Sequence, residues 1–146
     1  MSGADEQPDL APPPRVVGPG DAPFWAAIDA GELAVARCRC GACYLREQAC
    51  PACDAPASAL RWVPAAGRAT LLSHVVFDKA YHPYFADRLP YVVAVVALEE
   101  GPELVTNLVE VTAGDLDAGV LCSGLPLRLR IVQRGGQAIH AAVRAG

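Results

Sequence analysis

Five of the chain's six cysteines fall within sixteen positions, in "CRCGACYLREQACPAC", residues 38 to 53. Two Cys-x-x-Cys pairs stand out, Cys40-Gly-Ala-Cys43 and Cys50-Pro-Ala-Cys53. That spacing lets a tight turn aim two sulfurs at one point, and two such turns enclose a tetrahedral Zn(II). The expected ligand set is therefore Cys40, Cys43, Cys50 and Cys53, holding one zinc per chain. Cys38 is the alternative ligand. Paired with Cys40 it would strain the turn, but the loop to Cys50 would lengthen to nine residues, a more comfortable size for a ribbon. The dication would stabilise thiolates, and Arg37, Arg39 and Arg46 would offset the negative charge of a four-thiolate centre. A catalytic zinc keeps an open position and usually takes His or a carboxylate; the stretch has no His, and no Asp before Asp54, so the expected site is closed and structural. A redox-active dithiol, or a knuckle without metal, is the competing reading.

A chain of 146 residues has room for one domain, or for a small module attached to a somewhat larger one. Residues 1 to 22 combine acidic residues, Pro and Gly with little that could fill a core, and are expected to form a mobile tail. In "PFWAAIDAGEL", Asp21 offers a side-chain cap, Pro23 suits a first turn, Phe24 and Ile28 lie one turn apart, and Gly31 is the stop. This short helix and the cysteine ribbon are assigned to residues 23 to 59. Phe24 and Trp25 either dock the helix on its own domain or touch a partner.

Residues 60 to 146 carry five apolar runs rich in β-branched residues, "GRATLLSHVVFD", "PYVVAVVALEE", "PELVTNLVEV", "LPLRLRIVQR" and "QAIHAAVRA". Turn signals at "EEGPE" and "RGGQ", and one helical turn in "TAGDLDAG" between the third and fourth runs, describe a five-stranded barrel of the OB arrangement. The fold class is thus mainly β, a short helix and zinc ribbon followed by an OB barrel. Alternation places Val93, Val95, Leu104, Leu108, Leu129 and Ile131 inside. The connection "DKAYHPYFADRLPY" holds Tyr81, His82, Tyr84, Phe85 and Tyr91, too aromatic for an ordinary solvated loop. These side chains either cap the barrel's open end or form a contact surface.

In order of features the chain resembles the two-part proteins with a rubredoxin-like zinc ribbon followed by an OB-fold that are found beside thiolases. The stretches that carry the likeness are "PFWAAIDAGELAVARC", "CG" with "CPAC", "GRATLLSHVVF", "HPYFADRLPYVVAVVALEEGPELVTNLV" and "GLPLRL", over about residues 23 to 145. The sequence departs from that family at the first knuckle, where Cys38 and Cys40 look like the family pair with one residue deleted. The resemblance implies a non-catalytic accessory subunit bound to a thiolase-like or lipid-transfer-type thiolase enzyme of acyl-CoA metabolism. Its OB part would help form the channel for the pantetheine arm of coenzyme A. A thin, mostly apolar arm studded with amides would suit aromatic walls with a few hydrogen-bonding groups such as His82 or Asn107.

Other functions are less well served. Cys122, His74, His82 and His140 form no recognisable pattern of nucleophile, base and orienter, and Cys122 is expected to be a small buried hydrophobe. OB barrels and zinc ribbons also bind nucleic acids, which makes such a module the alternative. Against it stand the net charge of -4 and the absence of any Lys or Arg between Arg88 and Arg128, a stretch that contains Glu99, Glu100, Glu103 and Glu110. No run approaches a membrane span and the N-terminal residues lack the order of a secretory signal, so the expected location is the cytoplasm.

Overall fold

The computed structural model describes residues 11 to 146. Part of the expected tail, residues 1 to 10, lies outside the described residues. Helix α1 spans Ala22–Asp29 with Pro23 in its first turn. Asp21 stands at the N-cap position but does not cap the helix with its side chain; its carboxylate accepts instead from the Gly18 amide at 3.0 Å. Gly31, at φ +82°, ends the helix in the left-handed region that a side chain would disfavour. The expected apolar face is there: Phe24 and Ile28 are buried at 4% and 0% exposure.

Strands β1 (Ala34–Cys38), β2 (Cys43–Tyr44) and β3 (Leu60–Pro64) form an antiparallel sheet in the order β2-β1-β3. The ribbon sheet therefore runs through Pro64, a few residues beyond the boundary read from composition. The remaining strands are β4 (Arg68–Phe77), β5 (Tyr91–Leu98), β6 (Glu103–Leu108), β7 (Pro126–Arg134) and β8 (Gln137–Arg144). They close a barrel in the order β4-β5-β6-β8-β7, with β7 returning to pair with β4. The β6–β8 pair is parallel, through Asn107 with Ala141 and Leu108 with Ala142, because the chain crosses the barrel after its third strand. Helix α2 (Ala113–Asp117) occupies that crossing and starts in a capping box between Thr112 and Asp115. This is the OB topology expected from the five runs.

The barrel core takes in α1 and one face of β1, while Ala36, Cys38, Cys50, Ala55 and Leu60 of the ribbon form a second, smaller cluster. Leu71, Val96, Leu104, Leu108 and Leu127 from the barrel cluster with Phe24 and Ile28 of α1 and Val35 of β1. The expected interior needs one correction. On β5 it is Val92, Ala94, Val96 and Leu98 that point inward, while Val93 and Val95 lie on the half-exposed outer face. "YVVAVVAL" is apolar on both faces, so period-2 alternation fixes which residues travel together but not which set is inside. Leu104 and Leu108 are buried as expected, and Leu129 and Ile131 pack half-buried against the core.

Candidate metal centre and aromatic face

The sequence that closes the ribbon is built from two tight turns. In the first, the Cys38 amide donates to Ala42 O and the Gly41 amide to Cys38 O, both at 2.8 Å. In the second, Cys50 N donates to Ala55 O and Asp54 N to Cys50 O, again at 2.8 Å, with Asp54 at φ +59°. These turns gather the sulfurs of Cys38, Cys40, Cys50 and Cys53 within 4.8 Å of one another. Cys38 and Cys53 are 3.6 Å apart, and Cys40 and Cys50 are 3.7 Å apart. Those spacings are far too long for disulfides. They match the edge of a tetrahedron with Zn–S bonds of ~2.3 Å, which is roughly 3.8 Å. The donor set thus fits a four-thiolate metal site.

Cys43, expected as a ligand, is not among the four. It pairs across β1–β2 with Arg37, so its side chain lies on the same side of the sheet as Arg37 and opposite to that of Cys38. There its sulfur meets the Arg37 guanidinium at 3.5 Å and Gly41 O at 3.7 Å. The register of a two-residue strand decides the set, and the spacing of cysteines alone does not reveal it.

The Cys50 and Cys53 thiols shift in opposite directions. The Tyr44 hydroxyl lies 3.2 Å from the Cys50 sulfur, and this hydrogen bond, against the opposing effect of burial, brings the Cys50 thiol down to about 6. The same contact, with burial, pushes the Tyr44 hydroxyl up to about 12. At Cys53 the Ala55 amide favours the thiolate, but the hydrogen bond with Cys38 and burial outweigh it and push the thiol up to about 12. Four thiolates this close repel one another, and a dication removes that repulsion.

A second group of expected residues lies on the barrel between β4 and β5. His82 accepts from the Tyr84 amide through Nδ1 at 3.1 Å, capping a single 3-10 turn over Pro83–Phe85. That turn brings Phe85 onto Tyr91, with ring centroids 4.1 Å apart, and Tyr91 stacks in turn on Phe77 at 4.9 Å. Tyr81 stands edge-on to Phe77 and is 71% exposed. Tyr84 is buried beneath the Arg88 guanidinium, which lies 4.3 Å from its ring. Asn107 donates to Val92 O at 3.2 Å.

Two cavities flank this stack, one of about 270 Å³ that also reaches Arg88, Arg130 and Arg134, and one of about 350 Å³ that reaches Trp25 and His140. Tyr84, Phe85, Tyr91 and Asn107 line both. Phe24 does not belong to this surface: it is buried edge-on to Trp25 and anchors α1 to its own domain. Phe77, Arg88 and His140 do belong to it and were not expected there. An aromatic at the end of β4, directly before an aromatic loop, was the available signal for Phe77.

His140 stacks on Trp25 with centroids 5.8 Å apart, and its Nδ1 lies 2.8 Å from Thr106 Oγ1. Burial, assisted by the nearby Arg15 charge, brings its imidazole down to about 4. Cys122 is exposed, contrary to expectation, on the turn before β7. No helix among the described residues is long and apolar enough to cross a membrane.

A cysteine ribbon whose first strand packs into the core of a closed β4-β5-β6-β8-β7 barrel defines an OB-fold protein with an N-terminal ribbon of the metal-binding kind. More particularly, residues 62–132 match the family of C-terminal OB-fold domains of ChsH2. Over 118 residues the chain is 37% identical to a probable enoyl-CoA hydratase alpha subunit of Thermomonospora curvata. That match covers 79% of this chain but only 36% of the relative, so the chain spans about a third of that protein's length. Among solved structures, the Ltp2-ChsH2(DUF35) aldolase has a chain that superposes with a TM-score of 0.75 at 27% identity, covering 91% of this chain and 100% of that one.

Proposed function

We propose that the chain is a non-catalytic accessory subunit of an acyl-CoA enzyme complex, with a thiolase-type enzyme as its partner. The observation that carries this reading is the match of 91% of this chain to the whole of a chain of the Ltp2-ChsH2(DUF35) aldolase. A relative named as a hydratase subunit acting on enoyl-CoA supports the acyl-CoA assignment. The thiolase type rests on the sequence resemblance. In this reading Cys38, Cys40, Cys50 and Cys53 hold one structural zinc, which joins the two turns of the ribbon and supplies no reaction chemistry. Tyr81, Phe85, Tyr91 and Asn107 face the partner or the pantetheine arm. An exposed tyrosine beside a preformed aromatic stack and two cavities is the kind of surface that proteins reserve for contacts.

The barrel's cations favour this reading over a nucleic-acid module. Arg88 from the β4–β5 connection and Arg130 and Arg134 from β7 do line one cavity, although they are far apart in sequence. Yet Arg88 donates to Tyr84 O at 3.1 Å, Arg130 pairs with Glu110 at 2.8 Å, and Arg134 donates to Gln133 O at 3.0 Å. Cations tied to internal acceptors have less to offer a phosphate backbone. Affinity purification of the chain from its native cells, followed by mass spectrometry, tests the assignment. A thiolase-type protein retained by the parent and lost with Tyr81→Ala plus Phe85→Ala supports it; retention of nucleic acid alone contradicts it.

A further inference from the structure

Residues 11 to 21, directly before α1, are not the free tail that their composition suggests. Pro12 is buried, and Pro12, Pro13 and Arg15 line the 350 Å³ cavity together with Trp25, Phe85 and Tyr91. Arg15 holds the segment in place. Its Nη1 reaches Asp29 Oδ1 at 2.9 Å, its Nη2 donates to Ala138 O at 2.7 Å, and its guanidinium lies 4.6 Å from the Trp25 ring centroid. Its side chain is only 16% exposed. A second anchor lies at Gly20, which accepts from the Glu47 amide at 3.0 Å and adopts φ +80°. A Cβ there would sit 2.5 Å from Glu47 O, so the approach to the ribbon requires glycine.

Between the start of the described chain and Arg15 runs "APPP". Proline fixes φ, and a residue that precedes proline is pushed to extended conformations, so this run favours a polyproline II conformation with little entropy left to lose. Aromatic grooves bind such chains because proline rings stack flat on aromatic faces at low ordering cost. We infer that residues 11 to 15 are a polyproline strap bound in cis, and that the groove between Trp25 and the loop aromatics is a proline-recognition site whose resident ligand is the chain's own N-terminal segment. Any ligand entering the cavity from this side meets Pro12 and Pro13 as a wall and must displace them. The inference stands on the strap's own contacts and does not need the accessory-subunit reading.

The test uses the full chain carrying Trp62→Phe, so that Trp25 is the only fluorescent indole. In a strap-release variant, Pro12→Ser with Pro13→Ser and Arg15→Ser, acrylamide should quench Trp25 more strongly than in the parent. A synthetic peptide with the sequence of residues 11 to 17 should restore the protection saturably. Replacing its arginine with serine should weaken that binding by roughly tenfold or more, as expected for losing hydrogen bonds to a charged group. The parent, with its own strap in place, should not respond to the peptide. Asp29→Asn, at an exposed position, is the gentler variant and should speed tryptic cleavage after Arg15 without altering the melt. Unchanged quenching in the release variant, a peptide effect that needs no prolines, or unchanged cleavage in Asp29→Asn would overturn the inference.

Discussion

The sulfur of Cys38 lies 3.6 Å from that of Cys53, although one belongs to the end of β1 and the other to a turn fifteen residues on. With Cys40 and Cys50 they form the four-thiol cluster, and Cys43 faces Arg37 on the other side of the ribbon. Metal analysis of single serine variants should therefore separate the two cysteines. Cys43→Ser should keep one zinc per chain, and Cys38→Ser should lose it. A structural zinc of this kind contributes on the order of 10 kcal/mol of apparent binding free energy, so its loss should also lower the melting temperature of the ribbon. Zinc retained by Cys38→Ser and lost by Cys43→Ser would restore the ligand set read from spacing.

The direction in which β6 and β7 face can be tested by stability. Leu127, 2% exposed, should cost about 2–5 kcal/mol when truncated to alanine. Val105, 60% exposed on the outer face of β6, should tolerate serine within about 0.5 kcal/mol. Urea denaturation measures both. Equal losses would mean that the barrel's faces are misassigned.

Stability should depend on pH through His140. Its imidazole is held down at about 4 in the folded chain, by burial first and by Arg15 second, against an ordinary value near 6.5. The facing groups are Arg15, which is paired with Asp29, Thr106 and the Phe24 and Trp25 rings. The unfolded chain takes up the proton first, so the contribution is fully present above about pH 6.5 and is lost as pH falls toward 4. A shift of this size corresponds to about 3 kcal/mol. His140→Gln should flatten the part of the stability profile between those pH values; an unchanged profile would remove His140 as its source.

How much of this was legible in the sequence differs by element. The five barrel strands were, because each run is rich in β-branched residues and bounded by turn residues, and the Gly135–Gly136 turn and the Thr112 capping box lie where "RGGQ" and "TAGDLDAG" placed them. The inner face of β5 was not, because Val93 and Val95 are as apolar as Val92 and Val96. Cys38 could not be chosen over Cys43 without the β1–β2 register, which sets Cys43 opposite Arg37. The docking of Arg15 was hidden for a different reason. Its partners, Asp29 and Ala138, come from α1 and β8, and only the closed fold brings them together. The aromatic loop was visible as a composition, but Phe77, at the end of β4, and His140, within β8, join its surroundings only in the folded barrel.

The accessory role has a direct measurement in the turnover of acyl-CoA thioesters by the copurified thiolase-type enzyme, assayed alone, with this chain added, and with the Tyr81→Ala plus Phe85→Ala variant added. The expected result is no turnover by this chain alone, weak or no turnover by the enzyme alone, full turnover by the two together, and a stable complex on gel filtration that the variant weakens. Full turnover by the enzyme without this chain, with no complex between them, would contradict the role.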